Sequence, residues 1–118
     1  LAFTDVCTTE LCSVRDDIGF YNNVDAKVFG ISVDSIFTLE QFKNAQNVNF
    51  PLLSDFNKTT SLNYDCLHEA FAFDMKGVSK RSAFVIDKNG IIRYAEILEN
   101  PTKVPNFEAI KEVIASLK

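Results

Sequence analysis

The sequence is poor in glycine (4) and proline (3) over its 118 residues, which excludes collagen-like and low-complexity architectures. No apolar run approaches the roughly 20 residues of a membrane-spanning helix, and the first residues lack the basic-then-apolar order of a signal peptide. No basic cluster is longer than Lys80-Arg81, and 16 acidic against 12 basic residues leave a net charge of −4. Nucleic acid and anionic membrane surfaces are therefore not expected partners. Three cysteines, Cys7, Cys12 and Cys66, are too few and too odd in number for a secreted disulfide framework. A reducing, cytoplasmic setting is the expectation. Internal repeats and linker-like stretches are also lacking.

What the chain has is a core. At 47% hydrophobic it suits one compact domain, and its apolar fraction is too high for a disordered tail. From Thr8 to about Asn22 the residues Leu11, Val14, Ile18 and Tyr21 form one helical stripe, with Cys7 four residues before Leu11. Residues 26–33 (AKVFGISV) read as a buried strand. Thr38-Leu39-Glu40-Gln41 has capping-box spacing, which predicts a helix to about Gln46. Residues 50–54 (FPLLS) suit a short strand, 58–67 a short helix, and 68–80 a loop anchored by Phe71, Phe73 and Met75. Residues 82–86 and 91–98 flank Asp87-Lys88-Asn89-Gly90 and predict a hairpin, with Gly90 where positive φ is needed. A final helix follows Pro105, with Asn106 as N-cap and Phe107, Ile110, Ile114 and Leu117 on one face. The order αβαβ(α)ββα is that of an α/β domain. A helix that opens such a domain normally follows a strand, and Leu1-Ala2-Phe3 is too short to be one. The expectation is a chain lacking its first strands.

Cys7 falls at or just before the first turn of the first helix, where unpaired backbone N–H groups and the positive dipole end favour a thiolate. It is a candidate nucleophile; the competing reading is an inert cysteine on the apolar stripe. Thr4 places a hydroxyl three residues upstream, able to meet the sulfur or an incoming oxygen, or simply to serve as an N-cap. Cys12 lies five residues on, ~7.5 Å along a helix and about 140° around it, beyond the roughly 7 Å Cα separation of a disulfide. An intact helix cannot join Cys7 to Cys12, so such a bond would report local unwinding. On periodicity alone Cys12 is a small half-buried residue. A zinc site would have to use Cys7, Cys12, Cys66 and His68, whose spacing does not resemble tetrahedral ligation. A hydrolase pairing Cys7 with His68 leaves Thr4 and Arg81 unexplained. No metal or cofactor is expected.

Thr4-x-x-Cys7 followed by Thr8-Thr9-Glu10-Leu11-Cys12 and Arg15-Asp16 resembles the active-site segment of the peroxiredoxins, the AhpC/TSA superfamily, in its AhpE-like and bacterioferritin-comigratory branch. The likeness continues in order through residues 29–34 (FGISVD), 50–55 (FPLLSD), 80–87 (KRSAFVID) and 90–93 (GIIR), and so spans nearly the whole chain. It implies a thioredoxin-like fold, a mixed sheet flanked by helices, in one domain over residues 1–118. The family signature begins with a proline that would fall immediately before Leu1, and relatives carry an upstream segment with a strand near the middle of the sheet.

The resemblance also implies roles. Cys7 would be the peroxidatic cysteine, oxidised by a hydroperoxide to a sulfenic acid. Thr4 would align the peroxide, Arg81 would stabilise the charge that develops as the O–O bond breaks, and Glu10 would orient Arg81. Without it, Arg81 reads as a strand-edge charge and Glu10 as an ordinary first-turn acid. Cys12 matches the resolving position of relatives that form a disulfide within this helix, with a thioredoxin-like donor as reductant; other relatives use an external thiol. Cys66 would be structural. A homodimer is implied. A different class of role stays open, a redox-sensing or interaction domain in which Cys7 oxidises once per chain.

Overall fold

Asp17 interrupts the helix that the apolar stripe predicts over 8–22. The computed structural model describes residues 1–100 and 102–117, and in it the stripe is carried by two helices, α1 (Asp5–Asp16) and α2 (Ile18–Asn23). Asp17 adopts φ −101° and ψ 10°, yet its N–H still reaches the carbonyls of Ser13 and Val14. The break is therefore shallow and the face persists: Leu11, Val14 and Ile18 pack on a cluster of Phe42, Val48 and Phe50, while Val14 also joins Tyr21 against Val85 and Ile110. Helix α1 thus ties two apolar clusters together.

The strand predicted over 26–33 shortens to β1 (Gly30–Ser32), which pairs in parallel with β2 (Leu52–Ser54) in the register Gly30↔Leu52, Ile31↔Leu53, Ser32↔Ser54. Before it, the Ala26 N–H turns back to the Tyr21 carbonyl instead of a strand neighbour. Gly30 permits the close approach, since a Cβ there would lie 2.7 Å from Leu52 Cδ2. The next helix, α3 (Ile36–Gln46), starts earlier than the capping box at Thr38 predicted. Ser35 is the N-cap, and its hydroxyl accepts from the Thr38 N–H at 3.2 Å. The helix ends at Gln46 as expected, stopped by Asn47 in the left-handed region (φ 52°). Phe42 of α3 is fully buried, and removing its ring should cost ~3–5 kcal/mol.

The short helix predicted over 58–67 is α4 (Thr59–Asn63), capped by the buried Asp55 carboxylate, which accepts from the N–H groups of Thr60 (3.0 Å) and Ser61 (2.6 Å). The following loop holds one 3-10 turn, Ala72–Asp74, and is closed by a bridge between Leu67 and Ser79. The predicted hairpin forms as β3 (Arg81–Ile86) and β4 (Ile92–Leu98), with Gly90 at φ 81° and the Asp87 carboxylate accepting from the N–H groups of Asn89 and Ile91. Helix α5 (Phe107–Ser116) has the predicted cap, Asn106 Oδ1 accepting from the Ala109 N–H, and packs Phe107, Ile110 and Ile114 on the hairpin.

Parallel and antiparallel pairings are both present, but the expected mixed sheet stands as two separate two-stranded sheets, β1-β2 and β3-β4. The outer edges of β1 and β3 have no strand partner among the described residues, and both strands line one cavity of about 1130 Å³. Phe29, Ile31 and Ile86 also line it and are each about half exposed. With nothing paired between the two edges, the hydrogen-bond ladder cannot run from one sheet to the other.

Candidate active site

The site is built from the start of α1 and the start of β3. Thr4 is the N-cap residue in extended conformation (φ −85°, ψ 149°), but its side chain makes no capping hydrogen bond; the hydroxyl donates instead to the Leu1 carbonyl at 2.6 Å. The helix begins in backbone terms, with the Thr8 N–H reaching the Thr4 carbonyl at 2.9 Å. The N–H groups of Asp5, Val6 and Cys7 precede the first possible intrahelical donor, and among the described residues no side chain caps them. Cys7, half-buried in this turn, lines the cavity between the sheets.

One turn further on, Glu10 reaches across to the first residue of β3. Arg81 Nη1 donates to Glu10 Oε2 at 2.5 Å, and the two side chains are only 9% and 16% exposed. With the pair this well removed from water, removing either partner leaves the other charge desolvated. Burial pushes the Glu10 carboxyl above its ordinary range, more strongly than the Arg81 guanidinium pulls it down. Cys7, Glu10 and Arg81 thus line one cavity, whereas Thr4 and Cys12 are not among its lining residues. Ahead of α1, the Ala2 N–H donates to Asp34 Oδ2 at 2.8 Å, and the same oxygen accepts from the Ser32 hydroxyl, which fixes the approach to the helix against the end of β1.

Cys12 belongs to the other face of α1. Its Sγ donates to Gln46 Oε1 at 3.7 Å, at the end of α3. Cys66 is buried and donates to the Ser61 carbonyl at 3.5 Å, a packing role consistent with a structural cysteine. All three cysteines are free. His68 lines the same cavity as Cys7, but no hydrogen bond joins the two among the described residues. His68 lies against Phe71, its buried Nε2 has no partner there, and burial with nearby Lys80 pushes its pKa below the ordinary value. Sequence reasoning did not single out Asp34, Gln46 or Asn49, all of which hold α1 from outside. The first lay inside a strand-end motif, and the other two carried no pattern.

The sequence profile of the AhpC/TSA family matches residues 1–95. The chain is 34% identical over 125 residues to the mitochondrial thioredoxin-dependent peroxide reductase of Drosophila melanogaster, covering all of this chain and 50% of that protein. It is also 34% identical over 119 residues to alkyl hydroperoxide reductase E of Mycobacterium bovis, covering 99% of this chain and 74% of the other. The chain therefore spans about half the length of the first of these relatives and three quarters of the second. Among solved structures, a peroxiredoxin-like protein from Aquifex aeolicus superposes with a TM-score of 0.86 at 26% identity, over 98% of this chain and 66% of that one. The crystal structure of the peroxidoxin BcpB from Mycobacterium tuberculosis gives 0.86 at 24% identity, over 100% and 75%, a likeness of fold alone.

Proposed function

The chain belongs to the AhpC/TSA family, with the thioredoxin-like fold of the peroxiredoxins, and from that premise we propose that it is a thiol peroxidase with Cys7 as its nucleophile. The observation that carries the reading is the placement of Cys7 in an uncapped first helical turn, lining the same cavity as the buried Arg81–Glu10 pair. The Cys7 thiolate attacks the distal oxygen of a hydroperoxide. An S–O bond forms, the O–O bond breaks, sulfur gives up two electrons, and the leaving alkoxide or hydroxide takes a proton from solvent. Arg81 and the N–H groups of Val6 and Cys7 stabilise the negative charge that develops, Thr4 aligns the peroxide once its hydroxyl leaves the Leu1 carbonyl and turns to the cavity, and Glu10 fixes the guanidinium. Hydrogen peroxide and organic hydroperoxides are the substrate class.

Recycling uses Cys12. The Cys7 sulfenic acid and the Cys12 thiol condense to a disulfide and water, and a thioredoxin-like dithiol reduces the disulfide while becoming oxidised itself. Five residues of helix separate the two cysteines by ~7.5 Å of rise, so α1 must unwind for the bond to close. The working protein is a homodimer of single domains, and the cavity between β1 and β3 is shaped to take one more extended segment. Support for that segment comes from the two open strand edges and apolar walls of the cavity. The free thiols suit a reducing, cytoplasmic compartment.

Intact mass and alkylation mapping after one equivalent of hydrogen peroxide test the reading, with Cys7→Ser and Cys12→Ser alongside. Loss of two mass units with Cys7 linked to Cys12 is the expected result. A Cys7 sulfenic acid trapped by dimedone while Cys12 stays free indicates resolution by an outside thiol, and a single oxidation per chain in the presence of reductant indicates a sensor. No reaction at Cys7 ends the assignment.

A further inference from the structure

Three contacts converge on the C-terminal half of α1 and none of them serves the cavity. Arg15 Nη1 donates to the Gln46 carbonyl at 2.6 Å, Asn49 Nδ2 donates to the Arg15 carbonyl at 3.2 Å, and Cys12 Sγ donates to Gln46 Oε1 at 3.7 Å. Gln46 is the last residue of α3, and the left-handed Asn47 that follows it turns the chain, with Gln46 and Asn49 on either side of it bonded to α1. A guanidinium on its carbonyl and a thiol on its carboxamide leave Gln46 little freedom, and it is half-buried. Its carboxamide therefore meets Cys12 on the α3 side of α1, while Cys7 faces the cavity about 140° away around the same helix.

We propose that Gln46 is a positioning residue for the resolving thiol, holding Cys12 on the α3 side of α1 so that the Gln46–Cys12 contact must open before the Cys7–Cys12 disulfide can close. The proposal rests on the peroxidase reading above and adds a control point to it. Condensation of the Cys7 sulfenic acid with the Cys12 thiol forms one S–S bond and releases one water, whatever the state of Gln46. What Gln46 sets is how often Cys12 is available for that step. Because Arg15 and Asn49 anchor the turn beyond Cys12, unwinding runs through residues 7–11, and Cys12 is the hinge-side partner. A longer-lived sulfenic acid follows, open to an external thiol or to a second peroxide.

The experiment follows both steps separately in the full chain. Stopped-flow measurement of Cys7 oxidation and rapid-quench mass spectrometry of disulfide formation are made on the wild type, Gln46→Leu and Gln46→Glu. Leucine keeps bulk and removes the acceptor; glutamate restores an acceptor oxygen. Loss of one weak hydrogen bond should speed conversion of sulfenic acid to disulfide by about three- to ten-fold in Gln46→Leu. The rate of Cys7 oxidation should stay unchanged, and Gln46→Glu should return the conversion toward the wild-type rate. A merely structural role for Gln46 would move the melting temperature of both variants without separating the two rates. Equal or slower conversion in Gln46→Leu, or no disulfide in any of the three proteins, overturns the proposal while leaving Cys7 as a peroxidatic residue. Absence of any Cys7 sulfenic acid in the wild type removes the reading beneath it.

Discussion

The two ends of α1 are secured by opposite means. At its start there is no side-chain cap, Thr4 turns its hydroxyl to Leu1, and the firmest tie is the ion pair between Glu10 and Arg81. At its end Arg15 and Cys12 donate to Gln46, the last residue of α3, and Asn49 in the α3–β2 connection donates back to the Arg15 carbonyl. The first arrangement leaves backbone donors and a cation facing a cavity; the second only holds the helix down. One helix thus has a reactive end and an anchored end, and the proposed disulfide would join a residue from each. Glu10 stands between Cys7 and Cys12 in the chain, within the turns that such a bond would have to unwind.

The comparison breaks most sharply at Arg81. Arg81→Met should lower the second-order rate of Cys7 oxidation by about 100- to 1000-fold, by analogy with loss of a charge-stabilising donor; competition against a reference peroxidase reads it, and a loss under three-fold would remove Arg81 from the chemistry. Glu10→Gln keeps an acceptor for Arg81 but gives up the charge, and about a ten-fold loss in the same assay is expected from a weakened hydrogen bond. At the anchored end, Asn49→Ala should leave the oxidation rate unaltered. It should cost about 0.5 kcal/mol in urea unfolding, as expected for an exposed hydrogen bond, and quicken amide exchange over residues 12–16.

The smallest effect is in the pH dependence of stability, where two buried carboxylates should slope in opposite directions. Glu10 is raised by burial despite Arg81, so as pH climbs through the ordinary glutamate range the unfolded chain ionises first. Its contribution to stability is full below that range and declines as pH rises through the raised pKa. Asp55 is pushed up by burial, but the N–H groups of Ser61 and Thr60 outweigh that and leave it lowered. Its contribution is full above the ordinary aspartate range and is lost as pH falls through the depressed pKa. Urea titrations of Glu10→Gln and Asp55→Asn from pH 3 to 7 should each flatten one of these slopes; equal slopes for both would contradict the assignment of causes.

Periodicity and turn chemistry made most elements legible. The hairpin around Gly90, the Asn106 cap and the end of α3 all follow from local rules, because turns and caps are decided within a few residues. The break at Asp17 was hidden because the apolar stripe runs straight through it, and burial rather than backbone regularity sets the stripe. The Ser35 cap is not marked by a capping box, since Thr38 and not Glu or Gln stands three residues on, whereas Thr38-Leu39-Glu40-Gln41 has that spacing inside the helix. In the candidate site, the place of Cys7 in the first turn of α1 follows from local pattern, while Arg81 and Glu10 stand 71 residues apart and needed the family resemblance to be paired. Gln46 and Asn49 gave no signal, since a side chain that holds a helix from the end of another is invisible until the two are packed.

The gap between β1 and β3 has a calorimetric consequence. Phe29, Ile31 and Ile86 already meet water along its walls, so unfolding exposes less new apolar surface than a continuous sheet of this size would release. The heat-capacity increment should fall below the ~12–15 cal/mol/K per residue of ordinary domains, giving a flatter stability curve and a shallower urea slope. A strand seated in the gap would restore both, which makes the heat capacity of unfolding a direct gauge of how much of that cavity is filled.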